Sequence, residues 1–121
     1  GDPVVTAAAW YNADLPPLRI DYAITSPQEV FPIGPTVLQA LHCPGHSPGS
    51  VAYVLESAGH RVLFGQDIHG PLHPDLLSNR DEYIASLTML QRLEADILCE
   101  GHFGIIRGRK AVHEFIQSYI P

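Results

Sequence analysis

His42-Cys43-Pro44-Gly45-His46-Ser47-Pro48-Gly49-Ser50 separates two apolar runs, Thr36–Leu41 before it and Val51–Leu55 after it. Two Pro-Gly pairs frame a single histidine. Proline fixes φ and glycine admits positive φ, so the stretch is a tight, defined loop rather than a tether. Such a loop holds the imidazole of His46 at the end of a strand, and metal sites on rigid elements are built this way.

Outward from this loop the pattern continues. Val51–Glu56 and Arg61–Phe64 read as strands joined by Ser57-Ala58-Gly59-His60, a hairpin turn. Gly65-Gln66-Asp67 follows the second strand directly. Asn79 is a candidate helix cap, with Glu82 placed as in a capping box. Ile84, Leu87, Leu90 and Leu93 then form an apolar stripe at helical spacing. Ile97-Leu98-Cys99 reads as a short buried strand running into Glu100-Gly101-His102. Val112, Phe115, Ile116, Tyr119 and Ile120 mark a last amphipathic helix. Strands mixed with one-sided helices point to α/β layers.

His46, Asp67 and His102 share a setting: each follows an expected strand and has a glycine nearby, where a loop aims a side chain. Imidazole and carboxylate are ligands that zinc, iron or manganese accepts. From spacing alone these residues fit either metal ligands or structural loop polars.

Pro44-Gly45-His46-Ser47-x-Gly49-Ser50, Val62-Leu63-Phe64-Gly65-Gln66-Asp67 and Cys99-Glu100-Gly101-His102, in this order and spacing, resemble the metallo-β-lactamase fold hydrolases. The likeness covers residues 36–121 and is greatest to the glyoxalase II-like thioesterases and lactonases. The family's first signature, His-x-His-x-Asp-His, is absent from these residues. The resemblance therefore implies the C-terminal ββα half of a four-layer αββα sandwich. It also implies a metal-dependent hydrolase of a thioester, lactone or other ester. Two divalent transition metals are implied, zinc foremost, with iron or manganese as alternatives. His46 would bind the first metal, His102 the second, and Asp67 would bridge them. Their remaining ligands would come from outside the chain, from the N-terminal half of the fold or another copy, so the chain alone is expected to be inactive. The competing expectation is a non-catalytic association module that uses an exposed sheet face.

The other polar residues near these loops carry two readings each. His69, two residues past Asp67, is a candidate catalytic residue in substrate contact or ligand support, against a packed or surface histidine. Glu100 could support His102. His42 and His73 flank the same loops, while His60 and His113 fit a turn and a helix face. Ser47 and Ser50 fit loop stabilisation. Tyr83 fits packing, and Cys43 and Cys99 fit small buried thiols at strand ends.

At 121 residues the chain is expected to form a single domain, with 1–35 an irregular lead-in to the motif-bearing 36–121. In that lead-in, Asp2-Pro3 suits a helix start running to Trp10. Leu18–Ile24 alternates as a strand does. A composition of 45% hydrophobic and 17% charged residues is that of an ordinary globular protein. Thirteen acidic against seven basic residues, a formal charge of −6, argue against a nucleic-acid partner and against the superfamily's nucleases. The one basic cluster, Arg107, Arg109 and Lys110, fits a solvated helix start. No apolar run approaches the ~18 residues of a membrane span. Two cysteines do not make a disulfide framework, so a cytoplasmic setting is expected.

Overall fold

The computed structural model describes residues 6–121. Six strands form one mixed sheet in chain order: β1 (Gln28–Ile33), β2 (Thr36–His42), β3 (Val51–Ser57), β4 (His60–Gly65), β5 (Ile97–Glu100) and β6 (Gly104–Arg107). All neighbours pair antiparallel except β4 and β5, which run parallel. A parallel pair needs a long crossover, and α1 (Arg80–Gln91) supplies it. The second helix, α2 (Arg109–Gln117), follows β6.

Strand periodicity decides which side chains face the helices. Ala52 and Val54 of β3, Leu63 of β4 and Leu98 of β5 are buried against Leu87 and Leu90 of α1 and Val112 and Ile116 of α2. Leu63, Leu98 and Ile116 are fully enclosed, and each such burial contributes roughly 1.5–3 kcal/mol. The stripe expected on α1 is the one that packs, with Ile84 and Leu93 partly buried at its margins. Among the described residues no helix covers the opposite face. Register aligns Tyr53, Phe64, Cys99 and Ile105 across it, and Phe64 and Ile105 are exposed.

The β3–β4 hairpin turns through Ala58 (φ 49°) and Gly59 (φ 77°), both left-handed as two-residue hairpin turns require. α1 departs from the expected capping box in one respect. Asn79 accepts from the N–H groups of Asp81 and Glu82, but its own N–H donates to the Gly45 carbonyl, not to Glu82. Arg109 and Lys110 do open α2, and Arg107 ends β6. Cations oppose the dipole at a helix start. Here Arg109 is offset by Asp96 at 3.1 Å and Glu94 at 3.7 Å.

The lead-in differs from expectation. Leu18–Ile24 is not a strand: Leu18 and Ile20 are 86% and 72% exposed, and β1 already occupies the free edge of β2. The strand lies instead at Gln28–Ile33, where Pro27 and Gly34-Pro35 read as loop. Pro32 is tolerated because β1 is an edge strand whose outer side needs no ladder bond. Glu29 ties the preceding segment down, accepting from the Tyr22 hydroxyl and from the N–H groups of Thr25 and Ser26. Of the helix expected between Asp2 and Trp10, residues 1–5 lie outside the described residues, and Ala8–Tyr11 forms a single 3₁₀ turn. β6, four residues long, gave no sequence signal.

Candidate metal centre

The loop after β2 is held through three successive carbonyls by α1 and the two residues before it. Ser86 Oγ donates to Pro44, Asn79 N–H to Gly45, and Ser78 Oγ to His46, at 2.7, 2.8 and 2.6 Å. Gly45 (φ 137°) is required for this contact, because a Cβ there would sit 2.2 Å from the Tyr83 Cα. Ser47 and Ser50 close the loop internally, their hydroxyls 2.9 Å apart, as the stabilising reading of both expected. Tyr83 is buried in packing, and its hydroxyl donates to the Ile68 carbonyl. Burial, with smaller contributions from Tyr119 and Glu100, pushes that phenol up to about 12.

Three loops at one end of the sheet bring His46, Asp67 and His102 together. Asp67 follows β4 in the left-handed region (φ 47°), where aspartate is more tolerated than most residues. Its carboxylate lies between two histidines: Oδ2 is 3.4 Å from His46 Nε2, and Oδ1 is 2.9 Å from His102 Nε2. His46 Nδ1 lies 2.8 Å from the Pro71 carbonyl. A carbonyl only accepts, so Nδ1 carries a proton toward Pro71, and Nε2 is the nitrogen turned to Asp67.

His69 joins this group. One ligand atom from each of Asp67, His69 and His102 lies within 4.8 Å of the other two. The His69 ring packs edge-on against His102 and Phe103, with centroids at 4.8 and 5.1 Å. Beneath it sits Glu100, 4% exposed. Its Oε1 is 2.8 Å from His69 Nδ1, and its Oε2 accepts the N–H groups of His102 and Phe103 at 2.7 and 2.8 Å. Burial raises the Glu100 pKa, but the bonds from His69, Phe103 and His102 outweigh it, and the carboxyl is held below its ordinary value. Glu100 thus joins His69 to the turn that carries His102. Adjacency to His102 was the only hint of this in the sequence, since the His69 contact spans 31 residues.

The remaining candidates lie elsewhere. His42 bonds the Pro48 carbonyl, His60 the Ala58 carbonyl within its turn, and His113 the Gln91 side chain between the helices. His73 caps a short 3₁₀ turn, Pro74–Leu76. Cys43 and Cys99 are both free and partly buried. Burial pushes the Cys43 thiol up to about 11, and its Sγ contacts the Leu41 carbonyl. That environment suits packing rather than metal ligation.

The histidines and Asp67 open into a cavity of about 490 Å³, whose other walls include Trp10, Tyr11, Pro71 and Leu76. Trp10 is fixed over it by a bond to Asp75 (3.2 Å) and by its edge-on contact with His73. The donor set fits divalent transition ions: a carboxylate with both oxygens turned to histidines, and two imidazoles, His46 and His69, whose Nδ1 atoms are committed to Pro71 and Glu100. Among the described residues no helix is long and apolar enough to cross a membrane.

No family model and no curated protein matches the sequence. Solved structures do match. An archaeal metallo-β-lactamase superfamily protein from Sulfolobus tokodaii aligns over 95% of this chain and 46% of its own, with TM-score 0.66 and 19% identity. A metallo-β-lactamase family protein from Thermus thermophilus aligns over 85% of this chain and 36% of its own, with TM-score 0.66 and 25% identity. The metallo-β-lactamase MIM-1 from Novosphingobium pentaromativorans aligns over 88% and 47%, with TM-score 0.67 and 16% identity. The chain spans about half the length of these solved relatives or less. It has the metallo-β-lactamase superfamily fold, over a portion that fits a C-terminal half of it.

Proposed function

We propose that this chain supplies part of the active site of a metal-dependent hydrolase acting on a thioester, lactone or other ester, in the manner of the glyoxalase II-like enzymes. The observation that carries the reading is the Asp67 carboxylate held between His46 on one oxygen and His102 on the other. A carboxylate so placed suits a ligand shared between two ions, zinc foremost, with iron or manganese also accepted by this donor set. Divalent ions, if held by these residues, would supply hydroxide near neutral pH and polarise a substrate carbonyl. The chain's own residues set the geometry: Pro71 orients His46, Glu100 orients His69, and α1 anchors the His46 loop. Trp10, Tyr11 and Leu76 offer apolar surface to a small-molecule ester beside the histidines.

Full activity calls for a second half of the fold, from the rest of a longer polypeptide, another chain or another copy. The row of half-buried Tyr53 and exposed Phe64 and Ile105 supports this, because such a row is stabilised by a facing sheet. We place the protein in the cytoplasm, which two unpaired thiols suit, with neither nucleic acid nor membrane as partner. The same exposed row favours the second reading, a non-catalytic association module. Metal content across the size-exclusion peak, with hydrolysis of a thioester and lactone panel by that peak, separates the two. Bound transition metal and turnover support the hydrolase. Absence of both after supplying zinc, iron and manganese removes it.

A further inference from the structure

We infer that His69, aimed by buried Glu100, is a metal ligand, so that Asp67, His69 and His102 complete a single-ion site within this chain. The inference rests on the metal reading of the centre and changes its ligand arithmetic. His46, Asp67 and His102 alone, divided between two ions, hold neither tightly. His69 moves three donors onto one ion, a two-histidine, one-carboxylate set with positions left for water and substrate.

The geometry carries the argument. Glu100 Oε2 already accepts two backbone N–H groups, and Oε1 faces His69 Nδ1 at 2.8 Å. The Nδ1 proton is therefore committed to the carboxylate, which leaves the Nε2 lone pair as the ring's free donor. Metal-binding imidazoles are characteristically backed by a carboxylate on the other nitrogen in this way. Burying a carboxylate is costly unless its oxygens are paired. Here the Glu100 carboxylate bonds His69 itself and the turn that carries His102. Phe103 packs on the His69 ring and restricts its rotation. One ligand atom from each of the three residues lies within 4.8 Å of the other two, and an ion between them, with bonds of about 2.0–2.2 Å, would draw them together. Glu100, enclosed and fully engaged, does not reach an ion and acts as a positioning residue.

His46 stands apart from this set. Its Nε2 meets the other Asp67 oxygen at the longer distance of 3.4 Å. An ion on that side has one histidine and one carboxylate oxygen from this group, so it needs donors from elsewhere.

The test titrates the metal-stripped chain with Co(II), followed by its visible absorption, and with Zn(II) by calorimetry. One ion per chain is expected. His69→Ala and His102→Ala should each weaken binding at least tenfold, Glu100→Gln about 10–100-fold, and His46→Ala less than threefold. Glu100→Gln should also alter the Co(II) spectrum, which a purely structural role would leave unchanged. Because a variant can misfold, the wild-type chain is also titrated with Zn(II) while imidazole ¹⁵N shifts are recorded. His69 Nε2 should move to the coordinated range in step with His102. Metal binding that depends on Asp67 and His102 but leaves His69 Nε2 unmoved overturns the inference and spares the metal reading. No binding of either ion by the folded chain overturns the inference. The hydrolase reading then rests on the assay of the assembled peak.

Discussion

Replacing Gly45 with alanine tests how the His46 loop is held. A Cβ at this position lies 2.2 Å from Tyr83 Cα, 2.3 Å from its N and 2.6 Å from its Cβ. The first of these is 1.2 Å short of ordinary contact at 3.4 Å. Two of the three atoms are helix backbone, so rotating the Tyr83 side chain does not relieve the clash. The start of α1 must retreat, or the loop must. Overpacking of this kind costs about 1–3 kcal/mol. A non-glycine residue at φ 137° adds about 1–3 kcal/mol of backbone strain. We expect Gly45→Ala to lose about 2–6 kcal/mol in urea denaturation. At roughly 3–6 °C per kcal/mol for a domain of this size, Tm should fall by about 6 °C or more. The retreat also stretches the bonds from Ser78, Asn79 and Ser86, so metal affinity should fall with stability. Gly49→Ala is the control: nothing lies within 4 Å of its added Cβ, and the change should stay within about 0.5 kcal/mol. A Gly45→Ala chain as stable as the Gly49→Ala chain would refute the packing argument.

Three further outcomes are expected. Tyr83→Phe leaves the Ile68 carbonyl without its hydroxyl donor and should cost about 1–3 kcal/mol, read as a shift in the urea midpoint with an unchanged slope. Asp96 has its carboxyl held below the ordinary range by the Arg61 N–H first and Arg109 second. A lowered folded pKa gives stability that is present above the unfolded value, near 4, and lost as pH falls through the folded value. The gap between wild type and Asp96→Asn in thermal melts should therefore narrow from pH 6 to pH 2, and a gap independent of pH would contradict this. The Cys43 thiol, pushed up to about 11, should react with an aromatic disulfide at neutral pH far more slowly than it does in urea-unfolded protein. Equal rates would show that the site opens freely.

Much of the arrangement was legible along the chain, because its determinants are local. Pro-Gly pairs announced the His46 loop, the Ala58-Gly59 turn joined its strands as expected, and the Ile84–Leu93 stripe marked the face of α1 that packs. The grouping of His46, Asp67 and His102 was implied by the family resemblance, and the structure brings the three together where β2, β4 and β5 finish at one end of the sheet. Where local pattern and pairing competed, pairing decided. Leu18–Ile24 alternates as well as a strand should, yet it joins no ladder, and the edge of β2 is taken by β1. Gln28–Ile33, proline included, forms one because Gly34-Pro35 returns the chain along β2. β6 likewise exists only because β5 offers it an edge.

The sequence by itself determined the rigid loops, the helical faces and the donor chemistry, since these depend on residue type and short spacing. Only the tertiary structure decided that Glu100 lies under His69 and that Trp10 stands over the cavity. It also decided that Gly45 must lack a side chain for the start of α1 to close on the loop. Each of these joins residues tens of positions apart. Such contacts are set by how the sheet and helices pack, and no local periodicity encodes them.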